Sequence, residues 1–307
     1  MNPRPIIIDT DPGIDDAVAL AIALFSDELD VRLITTVAGN VSLKNVTYNT
    51  LRLLKYFEKS VPVAAGAAKP LLEPFIDASN VHGKTGLEGF EFDEPDDALL
   101  LKENAVEAMR RVLLESSEKV TLVPIGPLTN IALLFELYPE VKEKVDEIVL
   151  MGGAIGRGNK GVYSEFNIAT DPEAAKIVFE SQIPIVMAPM DLGLKALILP
   201  EDSAKFENLN KTGKMLHALF QTHRKRGMKF GLKMYDSCAI AYLLKPEIYE
   251  SVDTFVEIEV TGTYTRGATL VDLNGYLGEH NPNAKVLTDT TSEAFKDWLF
   301  TSLSNCI

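Results

Sequence analysis

The sequence predicts an α/β protein: a single domain, residues 1–307, built on a mostly parallel central sheet that is flanked by helices. Two observations predict this class. Apolar segments of strand length alternate with longer segments of helical periodicity. The strand segments are continuously apolar rather than alternating, as in strands that are covered on both faces. No repeat, low-complexity segment or Gly/Ser linker divides the chain.

The predicted elements follow one another in βα order over most of the chain. Runs of aliphatic and β-branched residues predict the strands, and apolar residues spaced three or four apart predict the helices. Pro12 and Gly13 form a turn before the first helix, and Asp171 before Pro172 is an N-cap signal. Strands are predicted at 5–8, 31–37, 61–63, 119–124, 147–151 and 183–187, and helices at 14–25, 43–57, 128–137 and 171–181.

The C-terminal part of the chain changes in character. Segments 255–259 and 268–272 predict a separate pair of strands, and 293–303 predicts a closing helix. Cys238 is expected to be a small buried residue on the helix that follows Asp236. The basic run at 224–226 is expected in a loop between helices.

The composition argues against several classes of partner. With 44 acidic and 30 basic residues, the formal net charge of -14 disfavours binding to nucleic acid or to anionic membranes. Two cysteines, Cys238 and Cys306, support neither a disulfide framework nor a thiolate metal cluster. No apolar segment has the character of a signal peptide or a membrane span. We therefore expect a cytoplasmic protein with no membrane anchor.

The stretch IIIDTDPGIDDA at 6–17 sets four aspartates within eight positions directly after an apolar strand. Asp9 and Asp11 fall at the carboxyl end of that strand, where ligands bind in open α/β sheets. Asp15 and Asp16 fall in the first helical turn, where the helix dipole favours negative charge. A turn and a helix cap account for one or two of these carboxylates, not four. The cluster therefore predicts a site for a cation or for a ligand rich in hydroxyl groups.

The ligand chemistry of this cluster favours a hard cation. Carboxylates without nearby histidine or cysteine are typical ligands of Ca²⁺ or Mg²⁺ rather than of zinc. The stretch is not an EF-hand loop, because Gly13 comes one position too early and the closing glutamate is absent. Metal-dependent phosphatases of the haloacid dehalogenase type also begin with a strand and DxD, and Asp9 would then be the nucleophile. Those enzymes usually have Thr or Val where this chain has Gly13, which weakens that alternative and leaves it open.

Further polar or glycine-rich stretches lie at predicted strand ends or in loops. They are TTVAGN at 35–40, NVHGKTG at 80–86, VPIGPLTN at 123–130, VLMGGAIGRGN at 149–159, EFNIATDPEAA at 165–175 and YDSCAIA at 235–241. Together with IIIDTDPGIDDA, and in this order, they resemble the inosine-uridine preferring nucleoside hydrolase family, most closely its nonspecific ribonucleoside hydrolases. The resemblance covers nearly the whole chain, from near residue 6 to beyond Asp272.

The resemblance implies a calcium-dependent enzyme of nucleoside salvage that hydrolyses the N-glycosidic bond of purine or pyrimidine ribonucleosides. It also implies a homotetramer or homodimer. Asp11 would be the general base toward the attacking water. The calcium ligands that the resemblance implies are Asp11, Asp16, the backbone carbonyl of Ile125 and Asp236. The residues that it implies for the ribose pocket are Asp15, Asn40, Met151, Asn159, Glu165 and Asn167.

These residue types suit that chemistry. A furanose presents three hydroxyls, and a pocket of carboxylates and amides would leave polar groups unpaired with an analogue that lacks one of them. An acidic pocket also stabilises the positive charge that develops on the sugar in an oxocarbenium-like transition state. Taken singly, Asn40 and Asn159 also fit ordinary turn positions, and Met151 fits the core. A nonenzymatic nucleoside-binding protein is a further alternative, because the same pocket can bind without turnover.

One position departs from the family pattern at the leaving-group end. Close members have His directly before the calcium-binding aspartate of the MYDSCA segment, whereas this chain has Tyr235. That histidine is associated with protonating or orienting the departing base. Tyrosine stays protonated at neutral pH, donates a hydrogen bond and stacks on a base. Tyr235 is therefore our candidate for the leaving-group role, with His82 as the second candidate, and the base preference stays open.

Overall fold

The computed structural model describes residues 2–95, 97–225 and 231–307, whose strands form one large sheet and two small ones. In chain order the strands are β1 (Arg4–Thr10), β2 (Leu29–Thr36), β3 (Val63–Ala65), β4 (Val120–Pro124), β5 (Val145–Met151), β6 (Ile185–Ala188), β7 (Leu197–Ile198), β8 (Leu232–Lys233), β9 (Tyr249–Thr254), β10 (Val256–Ile258), β11 (Thr269–Val271) and β12 (Ala284–Thr290). The large sheet has eight strands in the order β3-β2-β1-β4-β5-β6-β12-β9. Its strand pairs are parallel except β12 with β9 at one edge.

Helices cover both faces of the large sheet. They are α1 (Ile14–Phe25), α2 (Leu43–Phe57), α3 (Ser79–His82), α4 (Ala105–Glu115), α5 (Thr129–Leu137), α6 (Phe166–Thr170), α7 (Pro172–Phe179), α8 (Pro200–Phe206), α9 (Lys211–Lys225), α10 (Tyr235–Leu244) and α11 (Ser292–Ser304). This arrangement confirms the predicted single α/β domain with a mostly parallel, helix-flanked sheet.

Alternate residues of the strands enter opposite layers of the core. In β1, Ile6 and Ile8 pack into the layer formed with α1, α2, α9, α10 and α11. Ile7 packs into the other layer, with α4, α5 and α7. All three isoleucines are essentially inaccessible to solvent. Burial on both faces is the physical reason that these strands read as continuous apolar runs.

The predicted elements all occur, and their ends differ from the predicted ones by at most two residues. The predicted pair at 255–259 and 268–272 is the antiparallel pair β10 and β11. The elements that no predicted range covers are β7, β8, β9, β12, α3, α4, α6, α8 and α9. Strand β9 lies at the edge of the large sheet and mixes buried with exposed positions, whereas β12 lies between β6 and β9 and alternates buried with partly exposed positions. Neither strand therefore shows a continuous apolar run.

Two predictions for residues 224–236 differ from the structure. Arg224 and Lys225 belong to the end of α9, so the loop prediction is wrong for them, and Arg226 lies outside the described residues. Helix α10 begins at Tyr235, one residue before Asp236 rather than after it, and Cys238 is buried on it as predicted. Among the described helices, none combines the length and the apolar character that crossing a membrane requires.

The topology determines where a ligand can bind. From β1 at the centre, the chain adds β2 and β3 on one side and then β4, β5 and β6 on the other. In such sheets the crevice lies at the carboxyl ends of the strands, where the order reverses. Here the reversal falls between β1 and β4, which are followed by Asp11 and Ile125. The Ile125 N–H donates to the Asp9 carbonyl at 2.8 Å, which holds the two strand ends together.

Candidate active site

The start of α1 is built around Asp16. Its Oδ1 accepts a hydrogen bond from Thr10 Oγ1 at 2.6 Å, and its Oδ2 accepts one from the Gly13 N–H at 2.9 Å. The second bond satisfies one of the N–H groups that a helix start leaves unpaired. Asp16 is fully buried, whereas Asp15 is partly exposed. Successive helical residues point about 100° apart, and the two neighbouring carboxylates accordingly differ in their exposure.

Asp11 is held between two loops by close backbone approach. Its Oδ2 accepts from the Asn40 N–H at 2.6 Å, and the Asn40 amide donates to the Asp11 carbonyl at 3.1 Å. A Cβ atom at Gly39 would overlap the Asp11 carboxylate, and one at Gly126 would lie 2.7 Å from Oδ1. Only glycine fits at these two positions, because ordinary contacts to carbon require about 3.5 Å. The TTVAGN and VPIGPLTN stretches therefore supply the walls around Asp11.

Three carboxylates meet where α1 and α10 begin. Carboxylate oxygens of Asp15, Asp16 and Asp236 lie within 4.8 Å of one another. Asp236 is 4% exposed and Asp16 is inaccessible, so solvent screens their charges poorly. Asp11 borders this group, since its charge acts on Asp236. The structure thus brings together the predicted metal-ligand carboxylates, with Asp15 as a further member.

The electrostatics of this cluster fit a divalent cation. Burial raises the pKa of Asp236 well above its ordinary value, and the charges of Asp15, Asp16 and Asp11 raise it further. Burial followed by the charge of Asp16 likewise raises the pKa of Asp11 and of Asp15. A cation among these oxygens would remove the repulsion and would favour the ionised carboxylates. The donor set consists of oxygens, which Ca²⁺ and Mg²⁺ prefer.

A second polar group joins the ends of β4 and β5. Glu165 caps α6, and its carboxylate accepts from the backbone N–H groups of Asn167 and Gly153, both at 3.0 Å. Burial raises its pKa to about 7. The Asn167 amide donates to the carbonyls of Ile125 at 3.0 Å and Met151 at 3.1 Å. Four of the predicted site residues thus converge, because the Asn167 amide contacts the carbonyls of Ile125 and Met151 and its backbone N–H donates to Glu165.

Tyr235 and His82 border the same crevice from different elements. Tyr235 is the first residue of α10, and burial raises the pKa of its hydroxyl, with the charges of Asp15 and Glu165 adding to the shift. His82 ends α3, and its ring lies so close to Gly13 that a Cβ atom there would overlap the imidazole. Both predicted leaving-group candidates therefore lie beside the aspartate cluster.

Asn159 is the predicted site residue that the structure does not bring into contact with the others. Its side chain is exposed, and its backbone N–H donates to the Ser164 carbonyl at 3.0 Å. Within the described part of the chain, no hydrogen bond joins the Asn159 side chain to the aspartate cluster. The residue belongs to the long loop that follows β5.

Asp9, which the sequence placed in the cluster and made the nucleophile of the phosphatase alternative, has a structural role. Asp9 is inaccessible, and its Oδ1 accepts from Thr35 Oγ1 at 2.5 Å and from the Asn130 amide at 2.8 Å. Asn130 also donates to the Thr36 carbonyl, so this network ties β1, β2 and α5 together. Because Asp9 is inaccessible, a phosphate ester cannot reach its carboxylate in this structure, which argues against the phosphatase alternative. Residue types in sequence carry no signal for this network, because its members are distant in the chain.

Comparison with known proteins assigns the chain to the same family that its motifs resemble. The model of the inosine-uridine preferring nucleoside hydrolase family matches residues 6–297. The chain is 50% identical over 294 residues to the non-specific ribonucleoside hydrolase RihC of Klebsiella pneumoniae, covering 96% of each. It is also 50% identical to the protein of the same name from Salmonella agona, covering 96% of this chain and 95% of that one.

Solved structures agree with these matches. The purine-preferring ribonucleoside hydrolase of Gardnerella vaginalis superposes with a TM-score of 0.90 at 28% identity and 98% coverage of both chains. An inosine-guanosine nucleoside hydrolase superposes with a TM-score of 0.92, also at 28% identity, with 99% coverage of both. The motifs, the fold and the sequence identity lead to one conclusion: this chain belongs to the inosine-uridine preferring nucleoside hydrolase family.

Proposed function

We propose that this protein is a calcium-dependent hydrolase that cleaves purine and/or pyrimidine ribonucleosides to ribose and free base. The observation that carries the proposal is the meeting of Asp15, Asp16 and Asp236, with Asp11 beside them, at the topological switch point of the sheet. The names of the similar proteins support the substrate class. A role in nucleoside salvage in the cytoplasm, and assembly as a homodimer or homotetramer, belong to the same proposal.

The metal ligands in this proposal are Asp11, Asp16, Asp236 and the Ile125 carbonyl. When bound, the cation would orient the attacking water and lower its pKa. Asp11 is the general base, and its Oδ2 is oriented by the Asn40 N–H at 2.6 Å. Because burial keeps these carboxylates out of bulk water, their charges act strongly on the reacting centre.

The ribose pocket in this proposal combines two kinds of group. Asp15 and Glu165 accept hydrogen bonds from sugar hydroxyls, and their negative charge stabilises the oxocarbenium-like transition state. In this proposal the side-chain amides of Asn40 and Asn159 bind sugar hydroxyls. The Asn167 amide donates hydrogen bonds and helps to position the sugar. Met151 at the end of β5 provides an apolar wall, since it is 3% exposed.

The reaction follows from these roles. The water oxygen forms a bond to C1′ while the C1′–N bond breaks, and the electron pair of that bond leaves with the base. Asp11 takes the proton that the water loses. The departing base receives a proton from the Tyr235 hydroxyl or from His82. Asp11 then releases its proton to solvent, and the proton donor takes up one proton from solvent, which returns both groups to their starting states. A tyrosine hydroxyl, with an ordinary pKa of about 10, holds its proton at neutral pH until the base departs.

Removing the metal tests the function directly. We expect that treatment with a chelator lowers turnover of inosine, uridine, cytidine and adenosine by at least about 100-fold, because the water loses its activating charge. Added Ca²⁺ should restore ribose release, and Mg²⁺ is the matched control for selectivity. Turnover that survives chelation, with metal content checked, would contradict calcium dependence. Nucleoside binding without ribose release in the calcium-loaded protein would instead support a nonenzymatic binding protein.

Replacing the leaving-group candidates tests their roles. Tyr235→Phe should lower kcat on inosine and uridine by about 100-fold, the lower end of what a general acid contributes, because only the hydroxyl is lost. His82→Ala is the parallel test for the second candidate. The variant with the larger loss of kcat identifies the principal acid, and the ratio of the losses on the two nucleosides reports which leaving base depends more on that residue. Unchanged turnover of both nucleosides in both variants would exclude these roles.

A further inference from the structure

The ring of Tyr235 lies directly against the backbone of Gly193. A Cβ atom at Gly193 would overlap Tyr235 Cε1 and would lie 2.8 Å from Cδ1 and 3.2 Å from Cζ. Carbon atoms in ordinary contact are about 3.5 to 4.0 Å apart. The backbone at Gly193 is not in the left-handed region, so glycine is required there for space and not for conformation. Gly193 is buried, which leaves no room for the ring to be displaced toward solvent on that side.

The turn at Met190–Leu194 that carries Gly193 is anchored on the side of β5. The Met190 N–H donates to the Gly153 carbonyl at 2.9 Å. Asp191 Oδ2 accepts from the Ile155 N–H at 2.7 Å. These bonds attach the turn to the loop that follows β5, so the turn cannot retreat to admit a side chain at position 193.

The same segment is attached to the residue that precedes Tyr235. The Met234 N–H donates to the Ala196 carbonyl at 2.9 Å. This bond continues the short antiparallel pair of β7 and β8, which leads directly into α10. The backbone of Tyr235 and the backbone of Gly193 are thus fixed relative to each other, and the ring between them has one position.

We propose that Gly193 is a positioning residue that holds the Tyr235 ring where its hydroxyl reaches the departing base. Because Gly193 has no side chain, the Tyr235 ring occupies the space that a side chain at position 193 would fill. Gly193 then acts through Tyr235 alone and contributes nothing to ribose binding. The inference rests on the proposed hydrolase function and adds to it a second determinant of leaving-group protonation.

The first test is thermal unfolding of a double-mutant cycle, which needs no activity. Gly193→Ala should lower Tm in the wild-type background, because its methyl group collides with the ring. In the Tyr235→Ala background the same change should leave Tm unchanged, because the ring is gone. Equal losses of Tm in both backgrounds, or failure of the double variant to fold, would overturn the contact as the reason for glycine. Gly156→Ala is the matched control, since its Cβ would meet Asp191 Oδ1 at an ordinary 3.4 Å.

The second test separates leaving-group protonation from the rest of catalysis. On uridine or inosine, Gly193→Ala should lower kcat by about 10-fold to 100-fold, the cost of displacing a catalytic group by about 1 Å. On 4-nitrophenyl riboside the loss should be less than about threefold, because 4-nitrophenolate departs without a proton. Added to Tyr235→Phe, Gly193→Ala should cause little further loss on the nucleosides. Equal losses on both substrate types, or no loss on nucleosides, would overturn the inference.

The hydrolase function and the positioning role of Gly193 can be contradicted by different results. Release of ribose by the wild type with an equal loss on both substrate types in Gly193→Ala would leave the hydrolase function intact and remove the positioning role. If the calcium-loaded wild type releases ribose from neither nucleosides nor 4-nitrophenyl riboside, the hydrolase function itself is overturned.

Discussion

Asp11→Asn is expected to lower kcat on inosine and uridine by about 10³-fold, within the range that a general base contributes. The amide is close in size to the carboxylate and can still accept from the Asn40 N–H, so the walls formed by Gly39 and Gly126 should be retained. What the variant loses is the ability to take a proton and one negative charge near the cation. Steady-state kinetics in calcium-containing buffer measures the loss.

Asp202→Asn is the matched control for Asp11→Asn. Asp202 is likewise a buried aspartate, 6% exposed, but it lies in α8 and pairs with Lys296 Nζ at 2.5 Å. Its replacement should lower the free energy of unfolding and leave kcat of the folded protein unchanged. If Asp11→Asn keeps more than a tenth of the wild-type kcat while inhibition by ribose is unchanged, Asp11 is not the base.

The absence of the 2′-hydroxyl is expected to lower kcat/KM by about 10⁴-fold when 2′-deoxyuridine replaces uridine. The pocket in our proposal is lined by buried or half-buried acceptors, and an analogue without the hydroxyl leaves at least one of them unpaired. Asp15 is the principal candidate for this contact, because it is the partly exposed member of the cluster that also contains Asp16 and Asp236. Initial rates of ribose or deoxyribose release measure the ratio.

Asp15→Asn provides the companion measurement. If Asp15 accepts from the 2′-hydroxyl, this variant should lose activity on uridine much more than on the deoxynucleoside, and the ratio between the two substrates should shrink. A wild-type ratio below about 10 would contradict a pocket built around the sugar hydroxyls. An unchanged ratio in Asp15→Asn would assign the contact to another residue.

Much of the site could be predicted from local sequence patterns. IIIDTDPGIDDA contains a strand, a turn and a helix start in consecutive residues, so their relative positions follow from local geometry. The capping role of Asp171 was predicted for this reason, and the structure confirms it. The edge strand β9 and its neighbour β12 were missed because their residues are not all buried.

Contacts between distant parts of the chain could not be predicted in the same way. The burial of Asp9 by Thr35 and Asn130 depends on three elements that meet in the folded protein. The need for glycine at 39 and 126 became visible only when the Asp11 carboxylate was found against both positions. Gly193 had no distinguishing signal in the sequence, because its requirement comes from the ring of a residue that begins another helix.

The sequence by itself determined the α/β class, the acidic site at the end of the first strand and the family, because periodicity and short motifs act over neighbouring residues. Only the tertiary structure decided which carboxylates meet, which aspartate is sealed in the core and where the Tyr235 ring lies. These depend on packing between elements, where a fraction of an ångström decides whether a side chain fits, and such distances are not encoded in local spacing.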